Sequence, residues 1–185
     1  MQQTFGIGHN SGKDMNGYTG RLHQWRRARQ ALFSNRIPVE VVRLRVRRAA
    51  ALGLDYRTYA GVRATTGRDI AALLFSSNAL GMLRAAELED ARARKLAAVE
   101  AERGALMHRP LPAVAVDPLD FAAEAPLFTE SWTEVRARLV AVLAARKLPA
   151  DAVLMIGDTT FERSWSVTAR AGGYLSAETY FGSET

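Results

Sequence analysis

The stretch "WTEVRARLVAVLAARKL", residues 132–148, most constrains how this chain folds. Its apolar residues recur at helical spacing. It lies between two short β-rich runs, "PAVAVD" before it and "AVLMIGD" after it, and "FERSWSVTARAGG" follows. Strand, helix, strand, helix in that order predicts parallel strands, because a helical crossover returns the chain to the same edge direction. Prolines 110, 112, 118 and 126 punctuate this half, and each β-rich run ends in an aspartate, Asp117 or Asp158.

The first half has a different character. From Arg21 to Arg68 twelve arginines stand against only Glu40 and Asp55, whereas from Asp69 onward sixteen acidic residues outnumber twelve basic ones. The formal net charge of +6 hides this division. A basic block predicts a polyanionic partner. Arginine outnumbers lysine throughout, so the clustering, not the residue type, carries the information. There is no cysteine, which excludes disulfides, thiolate catalysis and thiolate metal sites. Only His9, His23 and His108 are present, too scattered for a histidine-rich metal centre. No run of about 18 apolar residues predicts a membrane span, and no export signal opens the chain. The expectation is a cytoplasmic bacterial protein.

The fold expected is α+β: a basic N-terminal helical bundle followed by a small α/β unit with a short parallel sheet. Its parts are a disordered tail at 1–20, a basic helical domain at 21–83, a connecting helix at 84–105 and an α/β domain at 106–185. In the tail, "GIGHNSGK" imitates a phosphate loop, but Ile7 stands where the first glycine belongs and Asp14 follows Lys13. "FGIGHNSG" resembles a short N-terminal tag of assorted small bacterial proteins, some phage-associated, and could dock a protein partner. "RLHQWRRARQALF" reads as a basic helix with Trp25 in its core stripe. "VEVVRLRVRRAAALG" carries a strand-like alternation at 42–47, yet Val39, Val42, Val46 and Ala49 fall at helical spacing, which predicts a helix. Asp55 caps a further helix. Thr66-Gly-Arg-Asp69 matches a capping box, and Ile70, Leu73, Leu74, Ser77 and Leu80 then fit a helical core stripe. Leu88 to Val99 suggest a thin seam on the connecting helix, with Asp90 and Arg94 as an i,i+4 pair.

Residues 45–64, "RVRRAAALGLDYRTYAGVRA", place alanine at the fifth position, glycine at the ninth and apolar residues around them. This resembles helix-turn-helix DNA-binding proteins, departing at Arg48, where an apolar residue is usual, and at the bulky Tyr59. The resemblance implies a recognition helix at about 56–66, roughly 16 Å long, for a major groove about 12 Å wide. Tyr59 and Val62 would face inward. Arg57, Ala60, Gly61, Ala64 and Arg68 would face outward, with Arg57 on base edges. The expected nucleic-acid contacts are Arg26, Arg27, Arg43, Arg47, Arg57, Arg63 and Arg68. Such an interface needs the corner at Gly53 to stand clear of the second half. The leading expectation is a DNA-binding, transcription-regulating, phage-linked protein reading duplex DNA. Its α/β half would form a homodimer, sense a ligand or meet a partner.

Two alternatives stand beside it. "AVLMIGDTTFERSWSVTARAGG" resembles the last motif of haloacid-dehalogenase-like phosphatases, which implies Mg²⁺ held by Asp158 and Glu162. Asp117 would then be the nucleophile, although the family's D-x-D is here Asp117-Pro-Leu-Asp120. An active phosphatase or its inactive relative follows from that resemblance. The other alternative is a protein-binding adaptor with a basic docking face. Ser76, Ser77 and His108 show no spacing that suggests a triad, and Trp132 and Trp165 read as core anchors.

Overall fold

The computed structural model describes residues 37–182. The basic helix at 21–33, with Arg26 and Arg27, and the "FGIGHNSG" tail lie outside them. Contacts divide the chain into Met1–Val42 and Arg43–Thr185; the second unit contains the sheet. Among the described residues the protein is mixed α+β, with six α-helices and five parallel strands. No described helix is long and apolar enough to cross a membrane.

In chain order the elements are α1 (Val39–Ala51), α2 (Tyr56–Thr66), β1 (Ala72–Ser76), α3 (Asp90–Ala97), β2 (Glu102–Met107) and β3 (Phe121–Glu124). Then come α4 (Trp132–Ala145), β4 (Val153–Gly157), α5 (Thr160–Ala169), β5 (Gly173–Ser176) and α6 (Ala177–Phe181). The strand order is β3-β2-β1-β4-β5. The chain builds outward from β1 in one direction, then crosses back over α4 to pair β4 on the other side of β1. The direction of winding therefore reverses between β1 and β4.

Strand alternation sorts the core into two layers. Leu73 and Phe75 of β1 and Leu154 and Ile156 of β4 join Leu52, Tyr59, Leu96 and Tyr180 on one face. Leu74, Val153 and Met155 meet Val135, Leu139, Leu143 and Trp165 of α4 and α5 on the other. Every residue of β1 and of β4 is buried, as expected where helices cover both faces of a parallel sheet.

Several expectations from the sequence need correction. The stretch Ile70–Leu80 is not a helical stripe: it contains β1, the middle strand of the sheet. Thr66 closes α2 rather than opening a helix, with Gly67 at φ +70° as its C-cap. The connecting helix shrinks to α3, and its expected C-terminal end is instead part of β2. Arg94 Nε bonds the Asp90 carbonyl oxygen at 3.3 Å, not its carboxylate. "PAVAVD" forms no strand. Trp132 is 62% exposed, whereas Trp165 is a core residue. The helix over 39–51, the Asp55 cap on Thr58 N and the strand in "AVLMIGD" are as expected.

Arg48, the departure from the helix-turn-helix pattern, has a structural role. Its Nε donates to Asp69 Oδ2 at 3.0 Å, Nη1 to the Glu100 carbonyl at 2.8 Å and Nη2 to the Ile70 carbonyl at 2.9 Å. One guanidinium thus fastens α1 to the segments entering β1 and β2. The corner after α1 is packed too. Gly53 takes φ +66°, and a Cβ there would stand 3.1 Å from the Tyr180 hydroxyl. That hydroxyl donates to the Leu52 carbonyl at 3.1 Å.

Candidate functional site

In an open parallel sheet, the crevice at the carboxyl ends of the strands, where winding reverses, is where ligands bind. Here that crevice lies beyond Ser76 of β1 and Gly157 of β4. Ser76 Oγ accepts the Ala79 amide at 3.0 Å and so turns the chain at the end of β1. Ser77 N donates to the Leu106 carbonyl, holding that turn against β2. After β4, Thr159 and Glu162 form a capping box that starts α5. Gly157 permits it: a Cβ there would sit 2.9 Å from Glu162 Cβ and 2.9 Å from the Tyr174 ring.

Glu162 is the hub. It is 1% exposed. Its Oε2 accepts the Asp158 and Thr159 amides at 2.6 and 2.9 Å. Its Oε1 accepts Asn78 Nδ2 at 2.9 Å and lies 3.5 Å from His108 Nε2. A buried carboxylate needs such compensation, since isolated burial of a charge is costly. Ser77 Oγ accepts the His108 amide at 3.2 Å and pairs with His108 Nδ1 at 2.9 Å. Ser77 Oγ and His108 Nδ1 share one proton between them, and the ring's other nitrogen, Nε2, faces Glu162. The imidazole stacks on Trp165, 5.5 Å between centroids. Burial pushes His108 below its ordinary value, against the pull of Glu162.

Serine, histidine and glutamate in a chain suggest nucleophilic catalysis, but Ser77 is wholly buried and so closed to a substrate from solvent. The array is a structural tie between β1, β2 and α5. Beside it a cavity of about 250 Å³ opens, lined among others by Asn78, Arg92, Asp158, Glu178 and Phe181. Arg92 lies over the Phe181 ring at 5.0 Å and donates to the Ala79 carbonyl at 3.1 Å.

The residues expected from sequence divide into groups. Asp158 and Glu162 meet at the carboxyl end. Asp117 does not join them: it precedes β3, where its charge acts on Arg103 at the opposite, amino end. Both Glu162 oxygens are already engaged, and among the described residues no group of three His, Cys, Asp or Glu could hold a metal.

Of the arginines, Arg43, Arg47 and Arg57 are exposed. Arg63 lies 3.8 Å from Asp69, and Arg68 Nε is 2.7 Å from Asp151. Tyr59 is buried and Val62 packs on the core, while Arg57, Gly61, Ala64 and Arg68 face outward; Ala60, expected outward, is half-buried. Sequence reasoning missed Asn78, Arg92 and Glu178. The signal for Asn78 was "FSSN", polar residues at the end of an apolar run, which marks a site only once that run is known to be a strand. Comparison with known proteins found no matching family model, no matching curated protein and no matching solved structure.

Proposed function

We propose that this chain is a non-catalytic relative of the haloacid-dehalogenase-like phosphatases, a domain that binds a small polar ligand at the carboxyl end of its sheet. One observation carries this reading. The strands flanking β4 are β1 and β5, and a nucleophilic carboxylate near Asp158 would have to stand at one of their ends. β1 ends in Ser76-Ser77-Asn78 and β5 in Ser176-Ala177-Glu178, with no D-x-D in either place. Glu162, the second expected metal ligand, is committed to capping α5 and to Asn78. The crevice keeps its place in the fold while its side chains favour holding a molecule over cleaving one. A p-nitrophenyl phosphate assay with Mg²⁺ tests this: no turnover above background is expected, with or without Asp158→Asn. Mg²⁺-dependent turnover that disappears in Asp158→Asn would overturn it.

A second reading, DNA binding through α2, is favoured by the open outer face of that helix. A Cβ added at Gly61 would meet nothing within 4 Å, and Arg57 makes no ion pair among the described residues. Against it, the corner at Gly53 is packed under Tyr180. With Arg43 and Arg47 on phosphates and Arg57 on base edges, the slope of log K against log salt would be about −1.8. Anisotropy of a labelled duplex in rising salt tests it: a flat response, or binding unchanged in Arg57→Ala, removes this reading.

A further inference from the structure

We propose that the cavity beside Asp158 is a site for a small zwitterionic amine, an amino-acid-like molecule whose ammonium meets Asn78, Asp158 and Glu178 and whose carboxylate meets Arg92. The inference rests on taking the cavity as a ligand site and names what fits it. The Asn78 amide is oriented by its bond to Glu162: Nδ2 donates to Oε1 at 2.9 Å, so Oδ1 is the atom left over. It accepts no hydrogen bond among the described residues. The carboxylates of Asp158 and Glu178 likewise make no hydrogen bond or ion pair among the described residues. The cavity thus gathers three acceptors with unused capacity, and an ammonium has three donors.

Arg92 supplies the opposite chemistry. Its stacking on Phe181 and its bond to the Ala79 carbonyl hold the guanidinium in place. Its Nε is buried without a hydrogen-bond partner, 3.8 Å from Glu89. A planar guanidinium matches a carboxylate better than it matches any neutral group. Two carboxylates against one guanidinium disfavour a phosphate, which brings only negative charge. The volume of about 250 Å³ falls below the ~300–1,000 Å³ of sites for drug-sized ligands, so the occupant has few heavy atoms. Phe181 and Ala177 give the cavity an apolar wall for a short side chain.

Isothermal titration calorimetry on the full chain tests this, with the common amino acids injected one at a time and inorganic phosphate run separately. At least one amino acid is expected to bind with one-to-one stoichiometry. The analogue lacking its amino group and the analogue lacking its carboxylate should each bind about tenfold more weakly or worse. Asp158→Asn and Glu178→Gln should each weaken binding by a similar factor while leaving the melting temperature of the free protein unchanged. Phosphate binding that strengthens in Asp158→Asn would overturn the ligand class and leave the cavity a ligand site. An amine-free acid binding as tightly as the amino acid would do the same. No heat from any amino acid or from phosphate up to about 10 mM would remove both the ligand class and the ligand-site reading beneath it.

Discussion

The amino end of the sheet and the cavity beside Asp158 at its carboxyl end treat their charges differently. At the amino end charges are matched. Arg48 meets Asp69, Arg103 meets Asp120 through two nitrogens at 2.9 Å, Arg68 meets Asp151, and Arg146 Nε lies 2.5 Å from Glu102 Oε1. At the carboxyl end Arg109 and Arg138 pair with Glu124 and Arg138 also with Glu130, and Glu162 is satisfied by amides, but Asp158 and Glu178 line a cavity and make no ion pair among the described residues. Matched charges at the amino end serve stability, and the acceptors left open at the cavity are those on which the proposed ligand site depends. The contrast makes residue-by-residue predictions.

The largest effect is expected at Glu162, the committed carboxylate beside that cavity. Glu162→Ala removes a buried acceptor of two amides and of Asn78, and leaves those donors unpaired. Chemical denaturation should show a loss of about 3–5 kcal/mol, at least about 1 kcal/mol for each of the donors left unpaired, and a loss below about 1 kcal/mol would mean the hub is not one. Arg48→Met comes next. It keeps the stem but deletes three hydrogen bonds that fasten α1 to the sheet, so about 2–3 kcal/mol should be lost. The matching Arg57→Met should change stability by less than about 0.5 kcal/mol.

A smaller, pH-dependent effect separates the ends further. Hydrogen bonds from Arg103 hold Asp120 below its ordinary 3.8. A carboxyl with a depressed folded-state value contributes stability that is complete above its unfolded value and is lost as pH falls through the folded one. Asp120→Asn should therefore lower stability near neutrality and flatten the acid branch of the stability curve below about pH 4. An acid branch of unchanged steepness would show that the pair contributes nothing. The smallest effect is expected from Asp158→Asn and Glu178→Gln, each within about 0.5 kcal/mol of the parent. A loss of 2 kcal/mol or more, about the size of a lost charged hydrogen bond, would reassign these carboxylates to the structural set.

Parts of this arrangement were legible in the residues. Asp55 before "YRTYAGVRAT" and Gly53 before it mark a helix start and stop by chemistry that acts locally, and the structure follows both. "AVLMIGD" is bounded by turn residues and forms β4. The run "IAALLFSSNAL" was misread for a physical reason. A strand covered on both faces is apolar at every position, and such a run satisfies a period of 3.6 as readily as a period of 2. "ERGALM" failed the other way, because Glu102, Arg103 and Gly104 give β2 no strand-like opening; Arg103 is there to hold Asp120. The site was hidden for a third reason. Ser77, His108 and Glu162 are far apart in sequence, and only the order β2-β1-β4 brings them side by side. No local rule encodes that order. Arg92 and Glu178 come to one cavity in the same way.

Amide chemical-shift mapping of the labelled protein with pooled amino acids tests the division of labour between the two ends most directly. Shifts confined to Asn78, Arg92, Asp158 and the segment from Ala177 to Gly182, with Arg48, Asp69, Arg103 and Asp120 unmoved, are the predicted result. Shifts gathered instead on the outer face of α2, or at the paired amino end, would contradict it.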